Sequence, residues 1–161
     1  MAIGNDGKKK DQSLDGYKSQ KLPTTGVEVK IREALLDSMN YYQFDAHDIN
    51  KVAKFTFHIE ENGFLNLEGR NKKSNNPPTE DPQFVEKAQF AIEYQLFHYH
   101  IGIPFYQVSP SGDLTSDYVL QYSYDQQKGY VDIINVEYHP LVLPSKEDLE
   151  SEHIENPFKE N

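Results

Sequence analysis

Apolar and polar residues alternate over Val27-Glu28-Val29-Lys30-Ile31, the period of a half-buried strand. Arg32 to Phe44 is ambiguous: "REALLDSM" favours helix and "NYYQF" does not. The period then changes. Ile49, Val52, Ala53 and Thr56 recur at helical spacing, with Phe55 and Ile59 beside them. Asp45 and Asp48 precede this stripe as N-cap candidates and Gly63 follows it as a stop, so a helix is expected over about 46–61. Next comes "LEGRNKKSNNPPTEDPQ", with Gly, Asn, three Pro and charges of both signs, which reads as a long exposed loop. Phe84 to Ala91 fits either a short helix or a lead into the next strand.

Strand patterning dominates afterwards. Glu93–Ile103, Thr115–Tyr124 and Tyr130–Tyr138 are separated by turn chemistry at "SPSGD" (109–113) and "DQQKG" (125–129). Short connections between successive strands predict an antiparallel meander. Pro140 and Pro144 end it, and Ser145–His153 can form an acidic helix with Ser145 as N-cap. The resulting fold class is α+β: N-terminal helices packed on a twisted antiparallel sheet. Phe97, Tyr99, Ile101, Leu120, Ile134 and Val136 are the expected core positions.

Composition sharpens the domain boundaries. Apolar residues make up 37% of the 161, below the globular average of roughly 45–50%, so part of the chain is expected outside the core. Residues 1–26 are polar and Lys-rich and read as a flexible arm; 27–140 read as one α+β domain; 141–161 read as an acidic tail. The net charge of −10 argues against simple nucleic-acid binding. Residues 1–24 carry +2 and 140–161 carry −4, which leaves −8 for the centre. There is no Cys, so disulfides and thiolate metal sites are excluded. No apolar run approaches the ~18–20 residues of a membrane span, and the first thirty residues lack the apolar core of a secretory signal. A cytoplasmic protein with no membrane partner is expected.

The candidate chemistry sits in "FHYHIGIPFY" (97–106). On a strand, His98 and His100 share one face while Phe97, Tyr99, Ile101 and Ile103 share the other. The two imidazoles have three readings. They are ordinary polar residues of a solvated face; they are two ligands of a metal; or they are an acid–base pair titrating near pH 6.5. The metal reading needs a third ligand such as His139, and the carboxylate that follows His-x-His in a cupin pattern is missing from "IGIPFYQV" (101–108). No metal or other cofactor is expected. The acid–base reading draws on Tyr106, Tyr122, His139 and the basic group Arg70, Lys72 and Lys73. Arg70 is either a solvated surface residue or a phosphate clamp. No phosphate loop, nucleophile elbow or HExxH motif is present.

The order of these pieces resembles a known family. "NGFLNLEGR" (62–70), the histidine strand "YQLFHYHIGIPFY" (94–106) and "TSDYVLQYSYDQQKGYVDIINVEYHP" (115–140) look like the YafO-type toxins of bacterial type II toxin–antitoxin systems, relatives of the RelE/ParE superfamily. Gly69-Arg70, His98 and His100, Ser116-Asp117 with Leu120 and Tyr122, and His139 carry the resemblance, over about residues 27–140. It implies a RelE-like sandwich and an mRNA interferase that cuts messenger RNA on the ribosome, without metal, through attack of the 2′-hydroxyl. Its partners would be a cognate antitoxin, the ribosome and mRNA. It implies that Arg70 stabilises the phosphate, that His98, His100 or His139 supply base and acid, and that Tyr106 joins them. Lys72, Lys73 and Tyr122 would hold substrate. The alternative is a non-catalytic protein-binding module on the same scaffold.

Overall fold

The computed structural model describes Tyr17, residues 20–138 and residues 142–159. The chain runs β1 (Glu28–Arg32), α1 (Glu33–Tyr41), α2 (Ala46–Asn62), β2 (Asn71–Lys73), α3 (Phe84–Glu93), β3 (Leu96–His100), β4 (Gln107–Val108), β5 (Leu114–Thr115), β6 (Tyr118–Asp125), β7 (Tyr130–Tyr138), α4 (Lys146–Glu150) and β8 (His153–Ile154). Six strands form one sheet in the order β2-β3-β6-β7-β1-β8, and β4 and β5 form a separate hairpin. All neighbours in the large sheet are antiparallel except β1 and β7, which run parallel with Val29 opposite Val131 and Ile31 opposite Ile133. The fold is therefore α+β with a mostly antiparallel sheet. No helix among the described residues is long and apolar enough to cross a membrane.

Local chemistry sets the helices. Asp45 caps α2 by accepting the Asp48 amide at 2.9 Å, and the Asp48 carboxylate returns the bond to the Asp45 amide. This reciprocal box satisfies two of the backbone donors that a helix start leaves orphaned. Gly63 ends α2 at φ +63°, a conformation that disfavours a side chain. Between those signals Val52, Phe55, Thr56 and Ile59 turn one stripe to the sheet. The ambiguous stretch before it becomes α1 because Ala34, Leu35 and Met39 share a buried face. Ser38 ties α1 to the sheet: its hydroxyl donates to Leu35 O and accepts the Val136 amide.

Both faces of the sheet carry buried residues. Under α1 and α2 lie Ile31, Phe97, Tyr99, Leu120, Tyr122, Val131, Ile133 and Val136. Leu96 and Ile134 face the other way, against Ala91 of α3 and Leu149 of α4. A bulge makes this possible. Gln121 pairs with Asn135 and Tyr122 with Ile133, so Ile134 is an extra residue in β7. All six expected core positions are buried, but the bulge puts Ile134 on the second face.

The structure corrects several boundaries. Tyr17 was expected in the flexible arm, yet it is 0% exposed. Its hydroxyl donates to Leu96 O at 2.6 Å and accepts the Ser74 amide at 3.0 Å, and its ring meets Phe97 at 5.7 Å. Residues 20–26 are also docked, through Gln20 Nε2 to Tyr124 O and Phe64 N to Pro23 O. Residues 1–16 lie outside the described residues. The supposed tail supplies α4 and the edge strand β8, which pairs with β1. Arg32 holds it by a fork onto Asp132 and a bond to Ser151 O, and His153 Nε2 bonds Asp132 at 3.1 Å. The "exposed loop" contains β2, and β1 joins the meander as a parallel member.

Truncating Tyr17 to Ala should cost about 3–5 kcal/mol, the range for a large buried aromatic. Urea denaturation checks this; an arm outside the core would leave the midpoint unchanged.

Candidate functional site

The register of the sheet assembles a polar row on the face away from α1 and α2. Lys72 lies opposite His98, His98 opposite Gln121, and Gln121 opposite Asn135, across β2, β3, β6 and β7. Directly opposed residues share a face. His98 is half-buried, with Nδ1 at 2.9 Å from Ser74 Oγ. Its ring centroid is 6.0 Å from that of His100. Lys72 is exposed.

The two imidazoles are not equivalent. His100 is only 3% exposed. Its Nδ1 lies 2.9 Å from the Ser116 backbone nitrogen and 3.0 Å from the Ser116 carbonyl oxygen. The amide donates to Nδ1 in one tautomer, and Nδ1 donates to the carbonyl in the other. Ser116 continues the connection, accepting the Gly102 amide and donating to Tyr118 O. His100 thus fastens the end of β3 to the start of β6, and the expectation that it stands on an open face beside His98 is corrected.

Arg70 is held internally. Its Nε and Nη2 bond the two Asp113 oxygens at 2.6 and 2.7 Å, and Nη2 also reaches Ser109 and Ser111. The guanidinium and the serine hydroxyls hold the Asp113 carboxyl well below the usual carboxylate range, and Asp113 raises Arg70 in turn. This fork closes the β4–β5 hairpin over the start of β2, where Arg70 N donates to Leu114 O. Arg70, read from the sequence as either a solvated surface residue or a phosphate clamp, is engaged in an ion pair with Asp113.

Tyr122 is fully buried on the helix-covered face and donates to Asn71 Oδ1 at 2.7 Å; burial pushes its phenol well up. It cannot touch substrate, which corrects its assignment as a binding residue. Tyr106 also lies off the imidazole face. The Gly69 amide donates to Tyr99, Tyr99 to Tyr106, and Tyr106 to His100 O, at 3.1, 3.0 and 2.9 Å. Burial is the main cause that raises the Tyr106 phenol. Gly69 is required by close approach, because a Cβ there would overlap the His100 carbonyl. Lys73 sits over the Tyr17 ring, 5.4 Å from its centroid. His139 lies outside the described residues.

Of the expected site residues, the structure thus brings His98 and Lys72 together on one accessible face. Gln121 and Asn135 were missed. Gln121 Nε2 donates to Asn135 Oδ1 and Val142 O, and its buried Oε1 has no partner. Asn135 donates to Asp148 at 2.9 Å. A Gln between Leu and Tyr in a buried strand was the available signal. Among the described residues no group of three or more His, Asp and Glu could hold a metal ion.

No family model matches the chain, and no curated protein or solved structure does either.

Asp113→Asn should lower thermal stability at neutral pH. The folded-state carboxyl is depressed, so its contribution is complete above the ordinary carboxylate value of about 3.9. It is lost as pH falls from there toward the lower folded-state value. Melting curves of the two proteins, apart at pH 7, should converge in strong acid.

Proposed function

We propose that the protein is an endoribonuclease of the interferase toxin class, acting on mRNA at the ribosome, with His98 and Lys72 at its working face. The observation that carries this reading is their direct opposition across β2 and β3. The succession of one strand, two helices packed on one sheet face and then antiparallel strands also supports the RelE-like architecture that the sequence resemblance implies.

The chemistry needs few groups. A base takes the proton of a ribose 2′-hydroxyl, whose oxygen attacks the adjacent phosphorus. The 5′-oxygen leaves and accepts a proton from an acid, and a 2′,3′-cyclic phosphate forms. A nearby cation lowers the cost of the charge gathered on the phosphoryl oxygens. In this proposal His98 transfers a proton, and the Ser74 hydroxyl at 2.9 Å from Nδ1 orients its ring. Lys72 is the cation, because Arg70 is paired with Asp113. His139 is the sequence candidate for the second proton-transfer group.

A second reading is a non-catalytic protein-binding module with a cognate antitoxin-like or other protein partner. It is favoured by the Arg70–Asp113 pair, which removes the strongest phosphate ligand from service. The net charge of −10 favours it as well.

Induction in bacteria separates the two. The toxin reading expects growth arrest with transcript cleavage on translating ribosomes. His98→Ala should reduce cleavage about 10²–10⁴-fold, the usual weight of one acid–base group, with the protein still folded. A wild-type protein that leaves growth and transcripts intact would hand the function to the binding module.

A further inference from the structure

A cavity of about 560 Å³ opens on the other side of β3 from the imidazoles, between α2 and the loops 66–68 and 101–106. That volume lies within the range of small-molecule sites, roughly 300–1,000 Å³. Its composition is divided. One wall is a stripe of α2 bearing Lys51, Lys54 and His58, spaced to fall on one helical face. The opposite wall and floor are aromatic: Phe105, Tyr106 and Tyr99, the last stacked on Phe55 at 4.7 Å.

The polar atoms of the floor are spent. The Tyr99 and Tyr106 hydroxyls are consumed in the relay that ends on His100 O, so these residues offer carbon surface to an occupant. His58 Nε2 donates to Leu65 O. Lys51 donates to the carbonyls of Gly102 and Pro104, at 2.5 and 3.1 Å, and so pins the turn that presents Phe105. Lys54 is exposed and makes no side-chain hydrogen bond or ion pair among the described residues. Phe105 is 54% exposed, a large ring held at the rim without cover. Glu68 also lines the cavity, but two lysines against one carboxylate leave it a cationic spot on a chain of net charge −10.

We propose that this cavity is a binding site for a small aromatic anion: a flat ring against Phe105 and Tyr106, with its carboxylate, sulfonate or phosphate toward Lys54. The ring recovers the apolar area that Phe105 now leaves in water. The anion gives the exposed Lys54 a partner, and the modest gain of such a surface pair adds to the ring contact. The site is separate from the His98 face, so it stands or falls independently of the ribonuclease proposal.

The test uses 1-naphthoate as probe, with neutral 2-naphthol as the uncharged comparison, on the full chain. Titration should show one site for naphthoate, with naphthol binding at least about tenfold more weakly. Lys54→Glu and Phe105→Ala should each weaken naphthoate about tenfold or more, while Val108→Ala, an exposed apolar residue outside the cavity, should change nothing. Should a variant fail to fold, amide chemical shifts of the wild-type protein decide. Shifts gathered at Leu67, Glu68, Gly102 and Phe105 support the site; shifts centred elsewhere, absence of binding, or equal binding of naphthol and naphthoate overturn it.

Discussion

The extra residue Ile134 in β7 decides what each side of the sheet can be. Strict alternation would send Ile133 and Asn135 to the same face. With the bulge, Ile133 and Val136 stay beneath α1 and α2, while Ile134 and Asn135 both turn to the other side. The first face then has a continuous apolar floor that two helices can cover. The second receives one apolar residue to dock α3 and α4, and one amide to extend the polar row from Gln121. The apolar floor beneath α1 and α2 and the amide at the end of the polar row both depend on that single insertion, whereas His98 and Lys72 are placed by the pairing of β2 with β3.

Much of the architecture was legible because it is local. The Asp45 box, the Gly63 stop, the Ser145 cap and the turns at 109–113 and 125–129 are each encoded within a few residues. What escaped is non-local. The parallel pairing of β1 with β7 joins residues about a hundred positions apart and follows from where α1 and α2 return the chain, not from any pattern in "VEVKI". Tyr17 reads as part of a polar arm because its partners, Leu96 O and the Ser74 amide, are backbone groups with no sequence signature. The acidic tail concealed Leu149 and the β8 pairing behind its charge. At the candidate site, alternation correctly separated His98 from Phe97 and Tyr99. It could not reveal that Ser116 would seal His100, or that Asp113, 43 residues on, would claim Arg70.

The two sides of β3 are nonetheless mechanically joined. Tyr106 reaches the His100 carbonyl from the cavity side, and His100 reaches Ser116 from the other. The Arg70 carbonyl accepts the His100 amide, and its guanidinium anchors the β4–β5 hairpin. The residues from 99 to 116 are thus clamped by side-chain bonds rather than by long strand pairing, which explains how so irregular a segment keeps its shape beside the sheet.

The outer strands carry a different consequence. β2 has three residues and β8 has two. Long exposed edges invite another chain to extend the ladder, and short, charged ones do not. Here one margin bears Lys72 and Lys73, and the other bears His153 braced by Asp132 and followed by Glu155. The longest and most apolar strands, β6 and β7, lie in the interior, where neighbours on both sides consume their backbone groups. A chain with "YVLQYSY" and "YVDIINVEY" in succession holds two segments capable of stacking into fibrils; the order of its sheet keeps both out of reach for as long as it remains folded.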